Sequence, residues 1–376
     1  MTHRRAVPRH RAGGRRRLAI TFLSLLLLLP PATARTQPTA SAVTIASSAE
    51  VVQRRQALIE YLWGTTALPT RLSDVTQDVP SPLSALPNLR RVDELRVNMD
   101  AGVKGMAYHF VPELPNGRLV IVHNGHICTL EGAGLESMIS ELLNARFAVL
   151  AVFMPRVAPG DCQESPHDPL FQDPALAPAA GSPMRYFLEP VAAAVNYLLS
   201  RSQVGQFPLY REIDMLGHSG GGWTTTLYAA IDPRIRLSFP VAGSIPISSR
   251  GAGSVGDAEQ YFEDFYRIAG YRDLYLLGAR EPGRKQFWIL NRHDPCCFGD
   301  SEIQFRDVDG RGWDETMRGY EAEVAGALGS LGRSGSFQLI IDETSGMHSL
   351  SPHVIQHILA ELVRSQRARP AGAAAR

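Results

Sequence analysis

From residue 118 onward, apolar runs of strand length alternate with amphipathic segments of helix length. The apolar runs are RLVIVHNG, FAVLAVFMP, IDMLGHS, RLSFPVAGSI, KQFWILN and SFQLIID, and the helical segments are GLESMISELLNAR, YFLEPVAAAVNYLLSR, WTTTLYAAI, DETMRGYEAEVAGALGSL and SPHVIQHILAELVR. A strand that is apolar along its whole length is buried on both faces, as in a parallel sheet covered by helices. The alternation therefore predicts an α/β fold with a mostly parallel central sheet and helices on both faces.

The segments before residue 118 follow a different pattern. AEVVQRRQALIEYLW has its apolar residues at helical spacing, and LRRVDELRVNMD and VKGMAYHFVPE have the character of two strands. We expect these strands to form an N-terminal antiparallel hairpin with its turn at residues 100–102. The expected division is a linker and helical extension over residues 35–88, one large domain over 89–364 and a disordered tail over 365–376.

The N-terminus has the layout of a secretory signal. Seven arginines and no acidic residue occur in residues 1–17, and a twelve-residue apolar run follows at 18–29. Ala32-Thr33-Ala34 then matches the small residues that signal peptidase cuts. We expect residues 1–34 to be a signal peptide, which makes the mature protein secreted or periplasmic. An uncleaved anchor helix stays open as an alternative, and Arg16-Arg17 leaves open the choice between Sec and twin-arginine export.

Charge narrows the range of partners. The chain has a formal net charge of +1, but loss of the seven N-terminal arginines leaves 31 basic against 37 acidic residues, a net charge near −6. An acidic mature protein is a poor ligand for nucleic acid, so no nucleic-acid partner is expected. No stable membrane insertion is expected after signal cleavage, and the sequence does not indicate an oligomeric state.

Four cysteines, Cys128, Cys162, Cys296 and Cys297, would enter an oxidising compartment on export. Four cysteines allow three pairings, and the sequence leaves the choice open. One of the pairings joins the neighbours Cys296 and Cys297. A zinc site from His123, His126 and Cys128 is a weaker alternative, because that spacing matches no strong metal-binding pattern.

The stretch GHSGGG carries the chemistry that the sequence suggests most strongly. Gly217, Ser219 and Gly221 form a G-x-S-x-G pattern at the end of the strand IDMLGHS and the start of a helix. A sharp strand-to-helix turn lifts a serine above the sheet edge, and small neighbours avoid clashes there. The N-terminus of the following helix stabilises developing negative charge.

The order of elements, with GHSGGG at this turn, resembles the α/β-hydrolase superfamily over residues 89–364. The resemblance implies an α/β-hydrolase fold and a nucleophile, an acid and a base that follow one another in that order. Ser219 is then the nucleophile. The base is sought in the loop after the last strand, which holds His348; His353 competes with it but falls in the first turn of the closing helix.

A histidine base needs an acid that holds its tautomer and stabilises the imidazolium. Asp294 follows the strand QFWILN at the position where the family most often carries this acid, and Asp300 is a weaker candidate. The oxyanion needs preorganised N–H donors. We expect one at Gly220, directly after the nucleophile, and a second at Gly125 or His126 in the loop after RLVIVHNG, with the choice between them open.

These residues imply acyl transfer to Ser219 and hydrolysis of the acyl-enzyme by water that His348 activates. No metal and no organic cofactor is expected for this reaction. The favoured reading is a secreted serine hydrolase, a carboxylesterase acting on a small-molecule or polymer-borne ester, such as an acyl group on extracellular carbohydrate. The alternatives are a serine peptidase of the prolyl-oligopeptidase type and a catalytically silent hydrolase-fold binding module.

Two insertions are candidates for shaping a pocket. The first, residues 154–183, is rich in proline and contains Phe171. The second follows SIPISSR and is rich in aromatic residues. Its aromatic side chains are Tyr261, Phe262, Phe265, Tyr266 and Tyr271. Their near-helical spacing, shared with Ile268, favours a core face over a substrate pocket.

Overall fold

The computed structural model describes residues 42–80, 83, 86–163, 167–332 and 335–367. The chain divides into two units, residues 1–37 and 38–376, and only the second contains described residues. The predicted signal peptide and residues 368–376 of the predicted tail lie outside them. Within the described part of the chain, no helix combines the length and the apolar character needed to span a membrane.

Eleven strands are present in the described residues. They are β1 (Asp74–Thr76), β2 (Leu89–Asn98), β3 (Lys104–Pro112), β4 (Arg118–His123), β5 (Ala148–Val152), β6 (Val157–Ala158), β7 (Asp161–Cys162), β8 (Glu212–His218), β9 (Ile235–Val241), β10 (Lys285–Asn291) and β11 (Ser336–Asp342). The α-helices are α1 (Ser48–Trp63), α2 (Leu135–Asn144), α3 (Asp168–Gln172), α4 (Arg185–Gln203), α5 (Gly220–Ile231), α6 (Ala258–Tyr261), α7 (Glu263–Ile268), α8 (Tyr271–Ala279), α9 (Gly312–Ser330) and α10 (Pro352–Arg367).

Nine of the strands form one sheet in the order β1-β2-β3-β5-β4-β8-β9-β10-β11. The strands from β5 to β11 in this order pair in parallel, whereas β1, β2 and β3 join the sheet by antiparallel pairing. The predicted parallel sheet with an N-terminal antiparallel hairpin is therefore confirmed. The hairpin turn lies at Asp100–Gly102, where Ala101 has a positive φ of 54°.

The sheet is covered on both faces, because successive residues of its central strands enter two different cores. In β4, Leu119 and Ile121 belong to the core that includes residues of α1, α4, α5, α8 and α9, whereas Val120 and Val122 belong to the core that includes residues of α2 and α10. This alternation is the physical reason for the near-continuous apolar runs in the sequence.

Helix α1 shows how the sequence sets element ends. Ser47 caps its N-terminus by accepting the N–H of Glu50, whose side chain accepts in turn from the Ser47 N–H. Gly64 ends the helix in the left-handed conformation, with φ of 66°. At the other end of the chain, α10 continues to Arg367, so its last three residues fall within the tail expected from the sequence.

Candidate active site

The carboxyl ends of β4, β8, β10 and β11 meet at one edge of the sheet, because these strands are parallel. Each is followed by a segment that carries a residue predicted from the sequence. Gly125 and His126 follow β4, Ser219 follows β8, Asp294 follows β10, and His348 follows β11. The topology thus gathers residues that are far apart in sequence at one edge.

Ser219 occupies the sharp turn between β8 and α5. Its backbone has φ of 58° and ψ of −128°, a conformation that side-chain-bearing residues rarely adopt and that costs on the order of 1–3 kcal/mol. Its N–H donates to the carbonyl oxygen of Val241 at 2.9 Å, and its carbonyl accepts from Trp223 at 3.0 Å. The turn is thus held from β9 on one side and from the helix on the other.

The glycines around Ser219 are required by close backbone approach. A Cβ on Gly217 would lie 2.1 Å from the carbonyl oxygen of Gly221. A Cβ on Gly221 would lie 2.2 Å from the carbonyl oxygens of His123 and Asn124. Any side chain at either position would force β8, α5 and the loop after β4 apart.

His348 and Asp294 form a hydrogen-bonded pair. Nδ1 of His348 lies 2.7 Å from Oδ2 of Asp294, and the Asp294 side chain is fully buried. The other carboxylate oxygen, Oδ1, accepts the backbone N–H groups of Cys296 at 2.8 Å and Cys297 at 3.0 Å. These hydrogen bonds to both carboxylate oxygens hold Asp294 in its orientation towards the His348 ring.

The second ring nitrogen of His348 is left available. Nε2 is buried and has no hydrogen-bond partner among the described residues. The ring lies beside that of His218, with 4.4 Å between centroids. The loop that carries His348 is held by Asn291, whose side-chain amide donates to the carbonyl oxygens of Met347 at 3.3 Å and Ser349 at 2.9 Å.

Ser219 and His348 face one cavity of about 550 Å³. Its volume lies within the range of small-molecule sites, about 300–1,000 Å³. The lining residues are Gly125, His126, Ile127, Ala133, His218, Ser219, Ala242, Ala252, Gly253, Val255, Gly256, Asp257, Gln260, Cys296, Cys297, Phe298 and His348. Six of these seventeen residues are glycine or alanine, so part of the wall carries only small side chains.

The three residues expected to supply N–H donors surround Ser219. Gly220 is the first residue of α5, so its N–H has no acceptor within the helix. Gly125 approaches so closely that a Cβ there would lie 2.6 Å from the Cβ of Ser219 and 3.1 Å from its Oγ. His126 follows it, and Cε1 of its ring would lie 2.8 Å from a Cβ on Gly220.

Two further histidines lie buried beside the serine turn. Burial lowers the pKa of His123 to about 4, against a weaker opposing effect of its contact with the Asn124 carbonyl oxygen. Burial also holds the pKa of His218 well below its usual range, and the nearby His348 and His126 act in the same direction. Both rings are therefore neutral at physiological pH.

A second cluster of ionisable side chains adjoins the cavity, and we call it the four-residue cluster: His126, His167, Asp257 and Glu259. His126 and Asp257 line the cavity. Burial alone would lower the pKa of His126, but Asp257 and Glu259 outweigh it and raise that pKa to about 9. Burial alone would raise the pKa of Glu259, but the two histidines outweigh it and lower that pKa to about 2.

The competing sequence candidates do not join the site. His353 lies in the first turn of α10 and is exposed, and it does not line the cavity. Asp300 faces Arg292 at 3.9 Å and His293 at 3.6 Å, whereas the carboxylate that contacts His348 Nδ1 is that of Asp294. Of the alternatives weighed for the base and the acid, the structure pairs His348 with Asp294.

The cysteines form two disulfides, Cys128–Cys162 and Cys296–Cys297. The zinc alternative of His123, His126 and Cys128 is therefore wrong, because Cys128 is oxidised and the His123 ring is buried against its own loop. The pairing of neighbours at Cys296 and Cys297 places that disulfide in the cavity wall, directly after Asp294.

The two insertions contribute differently from each other. The second supplies cavity-lining residues between 252 and 260. The predicted core face is confirmed for Phe265, Tyr266 and Tyr271, which are buried, but it is wrong for Tyr261, which is exposed, and Phe262 is only partly buried. Phe171 of the first insertion packs on Phe262 at 4.8 Å between ring centroids and does not line the cavity.

Sequence reasoning missed the partners that the fold supplies from distant segments. His218 was visible only as the residue before the serine, and Asn291 only as the end of a strand. His167, Asp257 and Glu259 come from the two insertions and have no common spacing with His126. The one available signal was the set of cysteines, since the Cys128–Cys162 link joins the loop of His126 to the segment before His167.

No protein-family model matches the sequence, and no curated protein matches it. The structure is similar to a glucuronoyl esterase from Solibacter usitatus, with a TM-score of 0.57, 13% identity, and coverage of 89% of this chain and 98% of that chain. A second structure described as a glucuronoyl esterase from Solibacter usitatus gives a TM-score of 0.53 at 11% identity, covering 88% of this chain and 99% of that one. Together with the strand order and the strained serine turn, these likenesses show that the chain has the α/β-hydrolase fold.

Proposed function

We propose that this protein is a serine hydrolase that cleaves carboxylic esters through an acyl-enzyme on Ser219. One observation carries the proposal. His348, oriented by Asp294 at 2.7 Å, lines the same cavity as the strained Ser219, and its Nε2 has no partner among the described residues. A nucleophile, a base and an oriented acid within one cavity are the parts that acyl transfer requires.

The first half-reaction transfers the acyl group. Ser219 Oγ attacks the ester carbonyl carbon while Nε2 of His348 accepts the hydroxyl proton. Nδ1–H of His348 donates to Asp294, which holds the tautomer and stabilises the imidazolium. The tetrahedral intermediate then collapses, the bond to the alcohol oxygen breaks, and His348 returns the proton to the leaving alcohol.

The second half-reaction regenerates the serine. A water molecule gives a proton to Nε2 of His348 and attacks the acyl carbon. The tetrahedral intermediate then collapses, the bond from carbon to Ser219 Oγ breaks, His348 returns the proton to Oγ, and the carboxylic acid leaves. In both steps the negative oxygen needs N–H donors. Gly220 is our proposed first donor, and Gly125 or His126 the second, because their backbone adjoins the serine. Removal of one such N–H donor lowers kcat by a factor on the order of 10²–10³.

The hydrogen bond from His348 to Ser219 is not formed in this structure, since Nε2 has no partner. Catalytic hydrogen bonds in unliganded enzymes are often long and tighten only when substrate binds. Substrate in the cavity would shield the Ser219–His348 gap from water and strengthen that contact. The expected mechanism therefore includes a small approach of the two side chains on binding.

We propose an ester carried on extracellular carbohydrate or another polymer as the substrate class. The support is that the cavity is open to solvent at the exposed side of Asp257 and has room for a compact acyl group beside the serine. Two solved structures of similar fold carry the name glucuronoyl esterase, so a glucuronoyl ester belongs in the first substrate panel. Export through the signal at residues 1–34 is part of this proposal, and two disulfides suit an oxidising compartment.

The test is hydrolysis of a panel of p-nitrophenyl, acetylated-sugar and glucuronoyl esters, beside peptide substrates, by wild type and Ser219→Ala. The proposal expects ester turnover that the variant loses. Turnover of peptides alone would favour the peptidase alternative, and a folded wild type that turns over nothing would favour a silent binding module. N-terminal sequencing of the exported protein tests cleavage after Ala34, and a mature chain that begins at Met1 would contradict it.

A further inference from the structure

Four potential ligand atoms of the four-residue cluster converge on one point. His126 Nε2 lies 2.7 Å from Asp257 Oδ2, 3.2 Å from His167 Nδ1 and 3.7 Å from Glu259 Oε1. His167 Nδ1 lies 3.0 Å from Glu259 Oε1 and 3.7 Å from Asp257 Oδ2. All four atoms lie within 4.8 Å of one another.

These separations fit tetrahedral coordination. Bonds of about 2.0–2.2 Å from zinc to imidazole nitrogen and carboxylate oxygen give a tetrahedron with edges of about 3.3–3.6 Å. The five measured separations, 2.7–3.7 Å, bracket that edge length. An ion at the centre would reach all four atoms after only small side-chain shifts.

The contacts within the cluster reach beyond two separate hydrogen-bonded pairs. His126 Nε2 lies 2.7 Å from Asp257 Oδ2 and His167 Nδ1 lies 3.0 Å from Glu259 Oε1, yet the two ring nitrogens also face each other at 3.2 Å. A divalent cation between them would bind both ring nitrogens and neutralise both carboxylates.

Glu259 supplies a second and independent observation. Its side chain is fully buried, and its Oε2 has no hydrogen-bond partner among the described residues. A buried carboxylate with an unpartnered oxygen is costly unless a cation compensates it. Asp257 has 47% of its side chain exposed, so the cluster is reachable from the cavity.

We propose that His126, His167, Asp257 and Glu259 bind one divalent transition-metal ion, with zinc as the favoured occupant. Two imidazoles and two carboxylates favour a borderline ion such as zinc over calcium or magnesium, which take oxygen ligands. The sequence alone led us to expect no metal, and the proposed site departs from that expectation. The ion takes no part in the proposed acyl transfer.

The site would join three segments around the cavity. His126 belongs to the loop after β4, His167 precedes α3, and Asp257 and Glu259 belong to the start of α6. Because Gly125 adjoins both His126 and Ser219, the ion would fix the loop that is proposed to supply the second oxyanion donor. Its role is therefore positional.

The test is a metal titration of wild type after dialysis against a chelator. We expect one equivalent of Zn²⁺ to bind, one equivalent of Co²⁺ to give the strong visible absorption of a tetrahedral complex, and Zn²⁺ to raise Tm. Asp257→Asn should weaken Zn²⁺ affinity at least about tenfold to a hundredfold, since outer-shell changes alone cost that much. Asp264→Asn, also at an exposed position in the same insertion, is the matched control and should bind as wild type does.

A wild type that binds no stoichiometric metal, or that gives only the weak spectrum of octahedral Co²⁺, would overturn the proposal. Equal affinity for Asp257→Asn and wild type would overturn it as well, because the ion would then sit elsewhere. If Asp257→Asn does not fold, His126→Gln removes the other solvent-accessible ligand and decides the same question. None of these readouts depends on ester hydrolysis, so they stand apart from the test of the proposed function.

Discussion

Two histidine–carboxylate groups adjoin the same cavity, which His348 of one group and His126 and Asp257 of the other line, and they are built in opposite ways. In the His348–Asp294 pair, the carboxylate is saturated by one imidazole and two backbone N–H groups, and the histidine keeps Nε2 free of partners. In the four-residue cluster, each histidine turns a ring nitrogen towards the other histidine and towards both carboxylates.

The difference shows how histidine can serve either as a general base or as a metal ligand. A general base needs one nitrogen oriented by a fixed acceptor and another nitrogen open to substrate. A metal site needs several nitrogens and oxygens turned towards one centre. The pair satisfies the first condition and the cluster the second, so changes in the pair should alter chemistry and changes in the cluster should alter the order of the loops.

The largest expected effect is on the pair. Ser219→Ala and His348→Ala should each lower kcat for ester hydrolysis by on the order of 10⁴–10⁶-fold, because nucleophile and base act as one unit. Asp294→Asn should cost about 10⁴-fold, because the tautomer of His348 is lost. Steady-state kinetics on the best ester of the panel measures all three.

His353→Ala and Asp300→Asn are the matched controls, since each was a competing candidate that the structure places away from the pair. They should retain kcat within a few fold of wild type. A large loss in either control, with activity kept in His348→Ala or Asp294→Asn, would show that the base or the acid has been misassigned.

The next effect concerns the link between the loops of the cluster. The Cys128–Cys162 disulfide closes 34 residues, so the double serine variant should lose about 3–4 kcal/mol of unfolding free energy, as measured by denaturant titration. Cys296 and Cys297 are adjacent, so their double serine variant removes no loop constraint and should lose much less. Equal losses in the two variants would contradict this account of the link.

A smaller loss of activity is expected at Gly125, which lies against Ser219 and directly precedes His126 of the four-residue cluster. Gly125→Ala would bring a Cβ to 2.6 Å from Ser219 Cβ and 2.9 Å from the His218 carbonyl oxygen. The resulting displacement should lower kcat/KM about 10²-fold, as misplacement by about 1 Å does. Gly326→Ala in α9 meets no atom within 4 Å and should leave kcat/KM unchanged while adding up to about 1 kcal/mol of stability. Full activity in Gly125→Ala would show that this loop is not part of the reacting centre.

The smallest expected effect is a pH dependence of the unfolding free energy. It comes from His123, which belongs neither to the His348–Asp294 pair nor to the four-residue cluster. The pKa of His123 is lowered to about 4 by burial, below its ordinary value of about 6.5. Between these pH values the unfolded chain binds a proton that the folded chain does not, so stability is lost as pH falls. One histidine contributes at most about 1.4 kcal/mol per pH unit to this loss.

His123→Gln should therefore flatten the decline of unfolding free energy between pH 6.5 and pH 4, relative to wild type. Urea titrations across this range provide the measurement. An unchanged slope in His123→Gln would mean that its ring titrates in the folded protein as it does in the unfolded one.

Much of the fold was predictable because its signals are local. The apolar runs, the helical spacing and the GHSGGG turn each depend on neighbouring residues, and together they predicted the α/β-hydrolase fold that the structure confirms. The positions of Ser219, Asp294 and His348 followed from the order of elements, because parallel strands bring their carboxyl ends to one edge. Their catalytic roles stay predictions.

The four-residue cluster could not be predicted, because no local pattern links His126 to His167, Asp257 and Glu259. These residues meet only through the tertiary placement of two insertions, which carry no periodicity of their own. The same reason left the pairing of the four cysteines open. The sequence also could not predict that His348 Nε2 lacks a hydrogen-bond partner among the described residues, because this depends on which side chains the fold places near it.

The most direct test of the central claim is covalent labelling of the mature protein with a fluorophosphonate, with the adduct located by peptide mass spectrometry. A serine activated by the His348–Asp294 pair predicts one adduct, on Ser219, which forms far more slowly in His348→Ala and Asp294→Asn and is absent in Ser219→Ala. An adduct at another serine, or equal labelling of Ser219 without His348, would contradict the claim.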